Sequence, residues 1–315
     1  MTRPHTVVTG GAGFIGSHLV DALLKDGYRV TSLDNFGSGR PQNFRHIDSD
    51  DFESVHHDVR DSLPDFDNVD QIYHFASRAS PKDFESYAVE IALTNAEGAR
   101  NVFECAMNHD AKVILASTSE VYGDPEVHPQ PESYNGNVNV RGPRAPYDES
   151  KRFSESLAVA YDQQYDIDIR TVRIFNTYGP RMRPDDGRVI PNFLSQALSG
   201  EDLTVYGDGS QTRSFCYVSD LISGIRAVAE ADSEEVSGRV LNLGSTDERT
   251  ISELAKLIRD LVDTDSEIIY QDLPEDDPEL RRPDITRAEQ VLDWQPEIQL
   301  IDGLHKTLSH LDSNE

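Results

Sequence analysis

Short apolar runs alternate with helix-like segments through the first half of the 315-residue chain. That is the order expected of a parallel sheet whose strands are joined by crossover helices. Strands are predicted over residues 5–9, 29–34, 71–75, 112–117 and 168–174, and helices over 14–25, 84–94, 98–108 and 147–165. After Asn176 the pattern changes. Proline, glycine and arginine crowd residues 179–188. A helix over 191–198, a turn-rich stretch over 205–212, a helix from Ser219 and another over 251–261 then follow. A loop rich in proline and acid spans 272–283.

The segment from Thr9 to Gly16 (TGGAGFIG) follows a strand and opens a helix. Gly10, Gly13 and Gly16 permit a tight turn, a close approach of backbone to a pyrophosphate, and helix–sheet packing. Phe14 and Ile15 begin the helix whose free N–H groups and positive end face the phosphates. Asp34, followed by Asn35, stands at the end of the next strand. A carboxylate there accepts hydrogen bonds from ribose hydroxyls and repels the extra phosphate of NADP, so NAD is the expected cofactor. Asp58 and Val59 are expected to flank the adenine. The fold class expected is α/β: a Rossmann-type doubly wound parallel sheet with a smaller C-terminal α/β lobe. Residues 1–175 are expected to form the NAD-binding domain, rejoined by 213–245, and residues 176–315 mainly a substrate-binding lobe.

Tyr147 and Lys151 lie four apart, on one face of a helix. Tyrosine ionises near pH ~10, too high for a base at neutral pH. The Lys151 ammonium and a positive nicotinamide ring are expected to lower it. The glycine loop, the Ser117-Thr118-Ser119 strand end and the Tyr-x-x-x-Lys pair together resemble the extended short-chain dehydrogenase/reductase superfamily. Longer strings are similar to the UDP-glucuronate decarboxylases (UDP-xylose synthases): residues 115–128 (LASTSEVYGDPEVH), 142–151 (GPRAPYDESK), 173–182 (RIFNTYGPRM), 186–196, 203–220 (LTVYGDGSQTRSFCYVSD) and 276–285.

This resemblance implies an NAD-dependent enzyme acting on a UDP-sugar. Thr118 would hydrogen-bond the hydroxyl being oxidised, Tyr147 would take its proton, and Lys151 would reach the cofactor ribose. Glu120 and Arg281 match residues linked to decarboxylation and reprotonation. Asn176 and Arg213 match diphosphate contacts, and Tyr206 lies in a segment associated with uracil. Tyr161 and Arg188 match further ligand contacts, and Asn95 falls in the Thr-Asn pair of the same site. Close decarboxylase relatives carry lysine before that pair; here the residue is Leu93, and Arg78 is expected to supply the charge from the neighbouring loop. The chemistry is coherent, because oxidising C4 of glucuronate gives a β-keto acid whose carboxyl leaves readily. A UDP-sugar 4-epimerase uses the same oxidation and stays open as the alternative. Ser119 replaces the aspartic acid of the 4,6-dehydratases, which disfavours dehydration. A non-catalytic NAD-binding regulator is the third class, disfavoured by the presence of both Tyr147 and Lys151.

Composition narrows partners and setting. Aspartate and glutamate number 57 against 29 lysines and arginines, a formal charge of −28. Such a surface repels nucleic acid. Only 6 of the 29 cations are lysine, and an acid-rich, lysine-poor surface suggests a halophilic source, where concentrated salt screens self-repulsion. No stretch approaches the roughly 20 apolar residues of a membrane span, and no cleavable leader is recognised at the N-terminus. Cys105 and Cys216 have no metal or disulfide spacing, so no metal site is expected and a reducing cytoplasm fits. The helices over 98–108 and 147–165 resemble those that pair in superfamily homodimers, with Ala158, Tyr161 and Tyr165 on the expected face.

Overall fold

The computed structural model describes residues 3–273 and 277–312. Its centre is a seven-stranded sheet, ordered Val240–Leu243, Ile169–Ile174, Lys112–Thr118, Gln71–His74, His5–Thr9, Arg29–Asp34, Phe52–His56. Every neighbouring pair is parallel. The first three strands in sequence run outward to one edge, and the fourth returns to the other side of the first. The order therefore reverses beside His5–Thr9, and a crevice opens there at the carboxyl ends of the strands. The glycine loop occupies that crevice. These are the doubly wound sheet and flanking helices that the alternating pattern predicts.

Helices cover both faces. Phe14–Lys25 buries Leu19, Val20 and Leu23 in one apolar cluster with Leu221 and Ile225 of Val218–Glu230. On the other face, Ala99–His109 buries Val102, Phe103 and Ala106 with Ala158 of Ala145–Tyr165. The predicted helix over 84–94 is broken into Asp83–Ser86 and Ala88–Leu93, and a π-helical turn, Thr94–Gly98, carries the chain into Ala99–His109. Two strands escape the pattern. Phe52–His56 is a mostly exposed edge with polar residues at three of five positions, and Val240–Leu243 is only four residues long. The latter brings the second half of the chain back to the sheet beside Ile169–Ile174.

The smaller lobe is assembled from short pieces. Leu203–Tyr206 pairs with Ile268–Gln271. Thr212–Ser214 is flanked by Glu248–Thr250 and Leu280–Arg281, with Arg281 in register with Arg213. The loop expected over 272–283 thus contains a strand, because two ladder pairs tie residues 280–281 to the sheet; residues 274–276 lie outside the described residues. Ile251–Val262 begins with a capping box between Thr250 and Glu253. Thr286–Leu292 and Leu300–Asp312 are helices the pattern leaves unassigned. Among the described residues no helix is long and apolar enough to cross a membrane, and no group of three or more His, Cys, Asp or Glu could hold a metal.

Candidate active site

One cavity runs from the glycine loop, past the end of Lys112–Thr118, to the smaller lobe. Its cofactor end is built by main-chain geometry. Gly10 has φ +70°, and a Cβ there would stand 2.7 Å from the Ala76 nitrogen. Gly16 packs on the Gly10 carbonyl, where a side chain would collide. Gly13 precedes Phe14–Lys25 without any side-chain cap, so the first-turn N–H groups are left for a ligand. Phe14, Ile15, Asp34, Asn35 and Val59 line the same end. Asp34 accepts from Ala12 N at 3.0 Å and Phe36 N at 2.7 Å, and each oxygen keeps a second lone pair. Burial pushes its carboxyl up, against those two N–H bonds. A glycine cradle that any side chain would fill, an open helix end and a lone carboxylate fit a dinucleotide. Asp58 is set back from the wall. It holds Asn35 Nδ2 at 3.0 Å and Arg60 at 2.7 Å, and the Arg60 hydrogen bond keeps its carboxyl below the usual range. It orients Asn35 instead of lining the cavity.

At the reactive end, Ala145–Tyr165 brings Tyr147 and Lys151 against the strand end carrying Thr118. Tyr147 is buried, shares a hydrogen bond with Thr118, and stacks on Phe84 with ring centroids 4.8 Å apart. Burial pushes the phenol up to about 12, while Arg188 and the Thr118 hydrogen bond pull the other way. In this enclosed wall desolvation of the phenolate outweighs the charges the protein itself supplies; the lowering expected from the sequence counts on the nicotinamide ring as well. Lys151 is buried as well. Its Nζ donates to Ala116 O at 2.8 Å, and burial brings it down to about 8 against the raising influence of Glu155.

Beside them Glu120 accepts from Arg144 at 2.5 Å and Arg281 at 3.4 Å. Burial would raise its carboxyl, but the guanidiniums of Arg144, Arg281 and Arg213 hold it well below the ordinary range. Arg281, 1 % exposed, also donates to the carbonyls of Ser119 and Gly123. Arg213 pairs with Asp277 at 2.9 Å. Arg188 donates to Asp186 at 2.9 Å and to the Ala79 carbonyl. Asn176 and Tyr206 line the wall with them, on the side of the smaller lobe.

Two residues of the expected ligand set, Tyr161 and Asn95, are not on this wall. Tyr161 packs on Phe103 and Tyr165, centroids 5.3 and 5.4 Å away, on the far face of its helix. Asn95 is buried behind the catalytic helix and donates to Ser150 Oγ at 2.9 Å; it braces the helix. Arg78 does reach the cavity, but not as a spare cation. It donates to Glu90 at 2.6 Å, stands 3.7 Å from Asp83, and lies 4.0 Å over the Tyr87 ring. Its charge is already matched, which corrects the expectation that it replaces the lysine absent at Leu93.

Residue types alone did not single out Phe84, Arg144, Asp277 or Glu155. Arg144 carried a usable signal, since a cation at the N-cap of the 21-residue helix Ala145–Tyr165 opposes the helix dipole and calls for an anion nearby.

Comparison with known proteins agrees with this geometry. A model of the NAD dependent epimerase/dehydratase family matches residues 6–244. UDP-glucuronic acid decarboxylase 1 of Xenopus tropicalis is 49% identical over 98% of this chain and 72% of its own. UDP-glucuronic acid decarboxylase 6 of Arabidopsis thaliana is 49% identical over 95% of this chain and 86% of its own. Among solved structures, a UDP-N-acetylglucosamine 4-epimerase from Methanobrevibacter ruminantium M1 superposes with a TM-score of 0.90 at 30% identity, covering 100% of both chains. A dTDP-glucose 4,6-dehydratase from Streptomyces venezuelae with NAD bound gives 0.88 at 30%, covering 98% of this chain and 97% of that one. A family match across most of the sheet, on a chain whose glycine cradle and Tyr147–Lys151 pair face one cavity, leaves one conclusion: the chain belongs to the NAD dependent epimerase/dehydratase family and is an enzyme that uses NAD.

Proposed function

We propose that the enzyme converts UDP-glucuronate to UDP-xylose and carbon dioxide through a UDP-4-keto sugar. The observation that carries the reading is the position of Glu120 and Arg281 beside the Thr118–Tyr147 pair in one cavity. An oxidation site and a carboxylate-handling site are then in reach of the same sugar ring. Near-half identity to UDP-glucuronic acid decarboxylases over most of the chain supports it.

Bound NAD would supply hydride abstraction at C4 and its later return, held by the Gly10–Gly16 cradle, Asp34, Tyr147 and Lys151. Tyr147 Oη takes the proton of the C4 hydroxyl, with Thr118 Oγ1 holding that oxygen in line. Burial raises the phenol, so it needs a nearby positive charge to ionise, and the Lys151 ammonium is one helical turn away. The C4 carbonyl makes the sugar a β-keto acid, so the C5–C6 bond breaks with its electron pair flowing toward the C4 oxygen. Hydrogen bonds from Thr118 and Tyr147 to that oxygen stabilise the enolate. Carbon dioxide leaves, C5 takes a proton delivered beside Glu120 and Arg281, and C4 is reduced. Arg213, Asn176 and Tyr206 bind the nucleotide in the smaller lobe, with Arg188 at its edge. The helices Ala99–His109 and Ala145–Tyr165 are read as the homodimer face.

The second reading is a UDP-sugar 4-epimerase, favoured by solved neighbours of that activity. Carbon NMR with UDP-glucuronate labelled at the carboxyl carbon separates the two. Labelled bicarbonate supports decarboxylation, whereas label retained in an isomer of unchanged mass supports epimerisation.

A further inference from the structure

Two guanidiniums share one carboxylate oxygen at the reactive end: Arg144 and Arg281 both reach Glu120 Oε2. The neighbouring acids do not restore the balance. Asp277 is taken by Arg213 at 2.9 Å and stands 4.0 Å from Arg144. Asp148, next to Tyr147 in the chain, has a buried Oδ1 without a hydrogen-bond partner, and burial and the Glu120 charge push its carboxyl up, all of which favour its neutral form. Among the described residues, Arg144, Arg281 and Arg213 therefore face the two anions Glu120 and Asp277. One positive charge is left over next to Tyr147.

The two arginines of the shared pair differ in what they have left to give. Arg281 borders the cavity but is 1% exposed, and its donors are spent on two carbonyls besides Glu120. Arg144 keeps 18% of its side chain exposed, and it lines the cavity. Its guanidinium carbon lies 5.5 Å over the Phe84 ring, and the same ring stacks on Tyr147. Phe84 thus fixes a planar donor fork at a set place beside the catalytic phenol. Such a fork matches a carboxylate in two parallel hydrogen bonds.

We propose that Arg144 recognises the sugar carboxylate and so decides between a glucuronyl and a glucosyl nucleotide. The assignment rests on the decarboxylase reading. With the substrate carboxylate in place, Arg144 and Arg281 face two anions, Glu120 and that carboxylate. Sugars bearing a hydroxymethyl group leave the surplus charge unmatched and desolvated, which disfavours them.

The test uses full-length NAD-loaded enzyme in a Tyr147→Phe background, which prevents turnover, and calorimetric titration with UDP-glucuronate and UDP-glucose. The parent is expected to bind UDP-glucuronate the more tightly. Arg144→Met is expected to weaken UDP-glucuronate binding about 10- to 100-fold, the range of a hydrogen bond to a charged group, and to leave UDP-glucose within about threefold. Arg144→Lys, which keeps the charge and loses the fork, should retain part of the preference and serves if the Met variant does not fold. A preference that survives Arg144→Met, or is undiminished in Arg144→Lys, overturns the assignment. So does an equal loss for both nucleotides. A parent without preference overturns the substrate reading and the assignment together, while labelled bicarbonate from wild type alongside a preference surviving in Arg144→Met overturns the assignment alone.

Discussion

Glu155 lies four residues beyond Lys151 and never touches the cavity, yet the catalytic strand end hangs on it. Its carboxylate grips Arg173 twice, at 2.9 and 2.7 Å, and accepts from Ser117 Oγ at 2.5 Å. Both members of the ion pair are 12% exposed. Glu155→Gln keeps the shape and removes the charge, leaving the Arg173 guanidinium buried with only neutral acceptors, among them Tyr122 Oη at 2.9 Å. Removing one partner of a buried pair costs ~3–5 kcal/mol. At about 2.1 cal/mol/K for each of 315 residues, the unfolding entropy is roughly 0.66 kcal/mol/K, so the melting temperature should fall by about 5–8 °C. Differential scanning calorimetry on wild type, the single variants and Glu155→Gln/Arg173→Gln measures it, and the double variant should cost less than the sum of the singles. The same substitution removes the anion that raises Lys151, so the Lys151 ammonium is lost at lower pH and the alkaline limb of the rate profile should move down. A melting shift under about 1 °C with an additive double variant would mean that the Glu155–Arg173 pair does not hold the strand end.

Other outcomes follow from the same geometry. Gly10→Ala forces a side chain into φ +70° and against Ala76, so it should cost about 1–3 kcal/mol of stability and at least ~10-fold in NAD affinity, read by calorimetry and by fluorescence titration. The raised Asp148 carboxyl means that the native state binds more protons than the unfolded chain above the unfolded value of ~3.9, so this group's contribution is present in acid and is lost as pH rises. Asp148→Asn should therefore gain on wild type by up to ~1.4 kcal/mol per pH unit from about pH 4 toward neutrality, and a gap independent of pH in denaturant titrations contradicts this. A chain with 57 acids against 29 bases should stabilise with salt, and a melting curve against KCl that peaks in dilute buffer removes the halophilic expectation.

How much of this was legible in the residues follows from the range of the forces involved. Strands over 5–9 and 29–34 and the helix over 14–25 match the structure residue for residue, because periodicity and turn chemistry are local. The cavity likewise joins Thr118, Glu120, Tyr147, Lys151 and Arg281, which came from motifs with a fixed place in a strand or helix. Arg281 is the most distant of them, delivered by its ladder pairing with Arg213. What stayed hidden depends on tertiary neighbours. Nothing within a few residues of Arg78 predicts that Glu90 will neutralise it, and helical spacing alone cannot tell which face Tyr161 takes. The same holds at Tyr147: a charge four residues away is visible in a sequence, and enclosure by Phe84 is not. Phe52–His56 and Val240–Leu243 are too polar or too short to carry a strand signal.

On the proposed reading, this site breaks the C5–C6 bond of a glucuronyl nucleotide. The most direct measurement is proton NMR and mass spectrometry of the product formed from UDP-glucuronate by the NAD-loaded enzyme in deuterium oxide. Loss of the carboxylate leaves an enolate that must be protonated at C5 by a solvent-exchanged group. UDP-xylose bearing one deuterium at C5 is therefore predicted. A UDP-hexuronate of unchanged carbon count, inverted at C4 and free of deuterium at C5, would contradict it.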